Sequence, residues 1–310
     1  MPPRTPQSPV HSLEKSVAHC YSTWGESYFD DYYRSPTAYP PVHVGIVRKA
    51  LRKHGAKSVL DAGCGPASML RLLRFLGVHR HGFDLTAEMA AEARRVLTGQ
   101  GVPEANIWLG SVLDPAAYRP QGSRRSRRFD AAICFGVLPH VREQDDRRVF
   151  KNLHAAVRKG GLVLVEARNE LFSLFTANRY SHAFITERLA ATGDLLAAAG
   201  PERATLEQAL EALKSLFRMD LPPVRRGKES EPGYDEVLSR THNPFTAREQ
   251  FERAGFRDVK VLFYHYHCLP PLMEPAAPTL FRARSVAMEK PEDWRGHFMA
   301  SAFILAGVAS

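Results

Sequence analysis

The 310-residue sequence predicts an α/β fold, a mostly parallel sheet with helices on both faces. Three observations lead there. Short β-rich runs alternate with segments of helical spacing between residues 42 and 165. The first buried run, Val59-Leu60-Asp61, feeds a glycine turn that opens a helix. The alternation stops at 168 and resumes near 246, so a helical insertion stands between the early strands and the last two.

Composition sets the outer bounds. A hydrophobic share of 44% and a charged share of 24% suit a folded globular protein. No apolar run approaches the roughly 20 residues that cross a bilayer, so a cytoplasmic protein without a membrane partner is expected. Residues 1–10 carry four prolines and read as a disordered lead rather than a signal peptide. Cys20, Cys64, Cys134 and Cys268 are scattered and form no CxxC pair, which suggests reduced thiols and neither a zinc site nor a disulfide scaffold. Lys plus Arg (42) exceed Asp plus Glu (33), giving +9, a charge that suits nucleic acid, a phosphorylated small molecule, or no particular partner. The densest cluster, Arg124-Arg125-Ser126-Arg127-Arg128, reads as a solvated loop. No nucleic-acid reading element accompanies it, so no such partner is expected; the oligomeric state stays open, a dimer included.

Residues 11–33 have a helical pattern rich in rings, with Tyr21, Trp24 and Tyr28 at i, i+3 and i+7 on one face. This segment, taken to 41, is a helix packed on the main domain or a flap over a ligand. Pro36, Pro40 and Pro41 then break it. Strands are expected at 58–60, 81–83, 106–109, 129–135 and 162–165, with helices at 69–76 and 86–97. Residues 42–167 thus form a sheet core. Residues 168–240 are expected as a helical lid, Ala-, Leu- and Glu-rich from 185 to 217 and broken at Gly200-Pro201. Residues 241–310 return to the sheet through a helix at 246–254 and strands at 259–267 and near 298–308.

Val59-Leu60-Asp61-Ala62-Gly63-Cys64-Gly65 is a buried strand entering a glycine turn, where backbone can approach a ligand closely. Alone, this GxG does not separate a dinucleotide from other adenosine cofactors. About twenty residues on, His81-Gly82-Phe83-Asp84 ends the second strand with a carboxylate placed to accept from ribose hydroxyls, and Thr86 follows Leu85 as a helix N-cap.

In VLDAGCG (59–65), GFDLT (82–86), FDAAICFGVLPHV (129–141) and VRKGGLVLVE (157–166) the sequence resembles the class I S-adenosylmethionine-dependent methyltransferases. The resemblance covers roughly residues 42–167. It implies a Rossmann-like seven-stranded sheet, an N-terminal helical flap and a helical lid after the fifth strand. It implies S-adenosylmethionine as cofactor, with Asp61, Gly63, Cys64 and Gly65 by the methionine portion and Asp84 and Leu85 at the ribose. Ser111, Val112 and Leu113 would lie by the adenine and Phe135 by the sulfonium. Two positions depart from the family pattern. Ala67 stands where another glycine is frequent, and Ser111 where an acidic residue is usual, with Asp114 close behind. These departures are the support for a rival of another class, a non-catalytic cofactor-binding regulatory protein.

The acceptor is addressed by two clusters. Glu170 sits among Phe172, Phe175, Tyr180 and Phe184 with Arg179 and His182 near in sequence, a setting for a general base beside rings that stabilise a cation. A surface or salt-bridged Glu170 fits the same sequence. His242, His265 and His267, with Arg168, Arg179 and Arg240, suit an anionic group or ordinary capping and packing. His265 and His267 alternate onto one strand face, too little for a metal site of the protein's own. Together with Tyr28, these residues suit C-methylation of an isoprenyl diphosphate, Glu170 deprotonating a carbocation and Mg2+ assisting through the diphosphate. The stretch around Glu170 is similar to bacterial geranyl diphosphate C-methyltransferases. The alternative is O- or N-methylation of a sugar or natural-product intermediate, with His140 or His182 as base.

Overall fold

The computed structural model describes residues 9–22, 27–34, 39–120, 128–221 and 237–310. The lead at 1–8, Trp24, Pro36, the basic residues Arg124, Arg125 and Arg127, and the connection at 222–233 lie outside the described residues.

Seven strands form one sheet in the order β3-β2-β1-β4-β5-β7-β6: β1 (Ser58–Ala62), β2 (His79–Asp84), β3 (Ile107–Leu109), β4 (Phe129–Cys134), β5 (Val157–Arg168), β6 (Phe256–Tyr266) and β7 (Ala300–Ala309). β1 pairs in parallel with β2 and β4, β2 with β3, and β4 with β5. Val59, Leu60 and Ala62 are wholly buried, as expected of a central strand covered on both faces. The chain winds outward from β1 through β2 to β3, then crosses back to β4, so the carboxyl end of β1 is the switch point where open α/β sheets hold ligands. β5 begins at Val157 rather than 162, because Phe129 pairs with Val157 before the register shifts towards Ala131.

The helices are α1 (Pro9–Ser22), α2 (Ser27–Phe29), α3 (Val42–His54), α4 (Ser68–Leu72), α5 (Ala87–Thr98), α6 (Asp146–Ala156), α7 (Arg179–Ala183), α8 (Thr192–Ala198), α9 (Arg203–Lys214), α10 (Pro244–Arg253), α11 (Pro278–Ala287) and α12 (Gly296–Met299). The single helix expected at 69–76 is split. α4 stops at Leu72, and a 3-10 turn at Arg74–Leu76 closes on Gly77 in the left-handed region. The break at Gly200-Pro201 falls between α8 and α9 as the sequence requires. No helix of the described residues is long and apolar enough to cross a membrane.

The chain divides into two compact units. The first comprises Met1–Arg168, Val224–Leu262 and Phe303–Ser310. Its packing joins α6, α10 and β6: Phe150 meets Phe251 edge-on at 5.2 Å, and Phe251 stacks on Phe256 at 3.9 Å. Full burial of such a side chain is worth about 1.5–3 kcal/mol. The second unit comprises Asn169–Pro223 and Phe263–Ala302. It takes in residues 263–302, among them the end of β6 and the start of β7. The Asn169 amide donates to the carbonyls of Gly296, His297 and Ala300, and the Tyr266 hydroxyl to that of Lys290, binding these distant stretches together. Asn178 caps α7 in a reciprocal box with Ser181.

Candidate cofactor and acceptor cleft

The turn after β1 is built on backbone. The N–H groups of Gly63 and Cys64 both donate to the Phe83 carbonyl at 2.9 Å, tying the turn to the end of β2. Gly63 has φ +80°, and a Cβ there would lie 2.4 Å from Val137 Cγ2. Glycine is required at this position on both counts. Ala67 keeps the left-handed backbone, φ +61°, where family members often carry glycine, so the methyl group is accommodated without changing the turn.

Asp84 closes the other side. Its Oδ2 accepts from Gly65 N–H at 2.8 Å and its Oδ1 from Thr86 N–H at 2.9 Å. The Thr86 side chain makes no capping bond to α5, contrary to the N-cap role the sequence suggests. The Thr86 side chain and the Leu85 N–H also donate to this carboxylate. Burial pushes the Asp84 carboxyl up, and the Thr86 and Gly65 N–H groups pull it back. Asp61 is buried too, and its Oδ1 has no hydrogen-bond partner among the described residues. Burial first, and the Asp84 charge second, push the Asp61 carboxyl up to about 8. An isolated buried carboxylate of this kind is satisfied by a cation.

These groups line a cleft of about 1090 Å³, counted out to its open mouth, whose walls all belong to the first unit. It brings together Asp61, Gly63, Cys64, Gly65, Asp84, Leu85, Ser111, Val112, Leu113 and Phe135, with Tyr28 and His140. α1 covers it through Leu13, Glu14, Val17 and Tyr21, which share one helical face. Ser111 Oγ donates to the Glu14 carboxylate and accepts from Leu113 N–H at 3.0 Å. At the other end of that face, the Tyr21 hydroxyl lies 2.8 Å from His140 Nε2, while His140 Nδ1 lies 2.7 Å from the Leu238 carbonyl. A carbonyl only accepts, so Nδ1 carries the proton and Nε2 accepts from Tyr21. Burial holds the His140 imidazole down to about 4, partly opposed by the Leu238 bond. The ring is therefore neutral at pH 7. Tyr33 also lines the cleft, hydrogen-bonded to His43, which stacks on Phe135 at 6.0 Å.

The remaining candidates lie elsewhere. Glu170 belongs to the second unit, where its buried Oε1 accepts from Arg188 Nε at 2.8 Å, the salt-bridged alternative of the sequence analysis. Arg179 lies over the ring of its neighbour Tyr180, itself partly exposed, and His182 meets Phe217 edge-on. His265 stacks on His267 at 5.2 Å, which in turn packs against Phe172. His242 is in the first unit but is not one of the cleft's lining residues; its Nε2 lies 3.4 Å from Asp146 Oδ2, the carboxylate that also takes Arg240. Glu14 and Tyr33 are not among the residues the sequence singles out, and Tyr21 is singled out there only as one ring of a face that packs or closes over a ligand. The i, i+7 spacing of Tyr21 and Tyr28 was the available signal for Tyr21; Glu14 had none.

Residues 59–161 match the family described as a methyltransferase domain. Glycine N-methyltransferase of Oryctolagus cuniculus is 30% identical over 134 residues, 38% of this chain and 43% of that protein. Malonyl-[acyl-carrier protein] O-methyltransferase of Pseudescherichia vulneris is 30% identical over 190 residues, 56% of this chain and 69% of that protein. The chain belongs to the class I S-adenosylmethionine-dependent methyltransferases. The solved DhpI–SAH complex matches 97% of the methyltransferase chain and 98% of its own with a TM-score of 0.51 at 14% identity, a likeness of fold alone. The match spans less than half the length of the glycine N-methyltransferase.

The cofactor of this family fits the cleft of the methyltransferase. The unsatisfied Asp61 oxygen suits the methionine ammonium, the Gly63 turn leaves room where a Cβ would intrude, and the Asp84 carboxylate stands on the cleft wall as an acceptor suited to vicinal hydroxyls.

Proposed function

We propose that this methyltransferase methylates a hydroxyl of a small-molecule acceptor, with His140 as proton acceptor and Tyr21 relaying the proton. The observation that carries this is the Tyr21–His140–Leu238 chain of hydrogen bonds in the cleft wall. It fixes one neutral tautomer with its basic nitrogen towards the cleft.

S-adenosylmethionine supplies an electrophilic methyl on a sulfonium sulfur. Asp61 holds the ammonium, Asp84 the ribose hydroxyls, and Leu85, Val112 and Leu113 the flat base. Tyr21 takes the acceptor proton at its phenolic oxygen and passes its own to His140 Nε2. The Leu238 carbonyl steadies the imidazolium through Nδ1–H. Phe135, Tyr28 and the α1 face exclude water from the transfer.

A second reading is C-methylation of an isoprenyl diphosphate, with Arg and His side chains and Mg2+ on the diphosphate. The rings of Tyr21, Tyr28, Tyr33 and Phe135 around the cleft favour it, since aromatic faces stabilise a carbocation. The Glu170–Arg188 pair counts against Glu170 as its base.

The test is mass spectrometry of a panel of hydroxylated metabolites, nucleotide sugars and prenyl diphosphates incubated with S-adenosylmethionine. One added methylene on a hydroxyl, lowered about 10²–10⁴-fold in rate by His140→Ala, is the expected result. A methylene on prenyl carbon, lost in Glu170→Gln, would replace it with the second reading.

A further inference from the structure

We infer that Glu14, carried on α1, is the residue by which the cleft selects an amino-substituted purine, supplying a carboxylate from the cover rather than from the sheet. The inference rests on the proposed placement of ribose at Asp84.

Asp84 ends β2, and its register partner in β3 is Leu109. Gly110 N–H donates to the Asp84 carbonyl at 2.8 Å, so the chain passes from the ribose position to Ser111 within two residues of that bond. A base on the ribose therefore enters the space between Leu85, Met89, Val112 and Leu113, an apolar slot for a flat ring. On the cleft wall beside Val112 and Leu113, Ser111 Oγ and the Glu14 carboxylate form a hydrogen-bonded pair. Ser111 has one proton, which it gives to Glu14, and one of its lone pairs takes Leu113 N–H. What the pair can still offer a ligand is acceptor capacity alone. An edge bearing N–H donors is matched there; an edge bearing a carbonyl oxygen meets a carboxylate and is rejected. Adenine has an amine at C6; its deaminated counterpart hypoxanthine has an oxygen there and a proton on N1 instead, so the C6 position facing the carboxylate changes from donor to acceptor.

Asp114, the nearer carboxylate in sequence, is not the substitute. Its Oδ1 accepts from Ala116 N–H at 2.9 Å and caps the 3-10 turn Pro115–Tyr118. Glu14 lies on the cleft wall instead, ninety-seven positions from Ser111 in the chain.

The experiment is calorimetric binding of S-adenosylhomocysteine and of its 6-oxo analogue, S-inosylhomocysteine, to the full chain. The wild type should prefer the amino form by about 10–100-fold. Glu14→Gln, whose amide can donate to an oxygen, should bring the two ligands within about threefold. A change that merely loosened α1 would weaken both ligands and leave their ratio intact. Glu14→Ala combined with Ser111→Asp should restore the preference, because the carboxylate returns from the sheet side. An unchanged ratio in Glu14→Gln, with S-adenosylhomocysteine still bound, overturns the role of Glu14 and leaves the cofactor assignment standing. Failure of the wild type to bind S-adenosylhomocysteine at all overturns both.

Discussion

Binding of S-adenosylhomocysteine at pH 7 should expel close to one proton from this protein. Asp61 is buried, lacks a partner for Oδ1, and has its carboxyl raised to about 8 by burial and by Asp84. At pH 7 such a group is about nine-tenths protonated when the cleft is open. The α-ammonium of the ligand, a free amino acid whose own carboxylate holds the proton on, stays charged through this pH range and favours the Asp61 carboxylate. About 0.9 proton is then released, and affinity should rise about tenfold between pH 7 and its plateau. Titration calorimetry at pH 7 in buffers of different ionisation enthalpy counts the protons directly. In Asp61→Asn the count should fall towards zero and the affinity with it. A wild-type count below about 0.2 would refute the placement of a cation against Asp61. The same group sets a stability signature of known sign. Its folded pKa lies above the unfolded value of 3.8, so the folded state binds the extra proton; stability is fullest below about pH 4 and is lost as pH rises to about 8. Asp61→Asn should thus stabilise the ligand-free protein at pH 8, by at most about 6 kcal/mol.

Gly63→Ala should destabilise the fold by about 2–4 kcal/mol in denaturant unfolding, from left-handed strain and displacement of Val137, and should abolish cofactor binding; a change under about 0.5 kcal/mol would refute it. With His140 held down to about 4, the acid limb of kcat/KM for the acceptor, measured at saturating S-adenosylmethionine so that Asp61 is already ionised, should fall below pH 5, and a limb near 6.5 would exclude His140 as the proton acceptor. Arg188→Ala should cost about 1–3 kcal/mol in unfolding experiments by stranding the buried Glu170 carboxylate, while Arg188→Ala/Glu170→Gln should recover part of that loss. Recovery absent from the double variant would show that the two side chains are not energetically coupled.

What was legible in the sequence was what is local. The strand, turn and acidic residue from Val59 to Asp84 lie within one βαβ unit, and their burial pattern and glycines mark them without reference to the rest of the chain. Asp61, Gly63, Cys64, Gly65 and Asp84 line one cleft for that reason. Glu14 and Tyr21 were not legible, because their partners Ser111 and His140 stand 97 and 119 positions away, and no periodicity reports how α1 is rotated against the sheet. Glu170 shows the converse. An aromatic neighbourhood in sequence suggested a base, but Arg188, eighteen positions on, folds back to neutralise it. The extent of the second unit was hidden similarly, since it depends on the Asn169 amide finding carbonyls at 296–300.

α1 is fastened at two points on one face, by Glu14 to Ser111 and by Tyr21 to His140. Lifting it breaks one charge-assisted and one neutral hydrogen bond, together worth about 2–4.5 kcal/mol net. The opened helix would then be held by a few per cent of molecules or fewer. A helix fastened in this way ties the grip on the cofactor to Tyr21 and His140, the same two side chains that the acceptor chemistry uses, so loosening either one should speed release of S-adenosylhomocysteine.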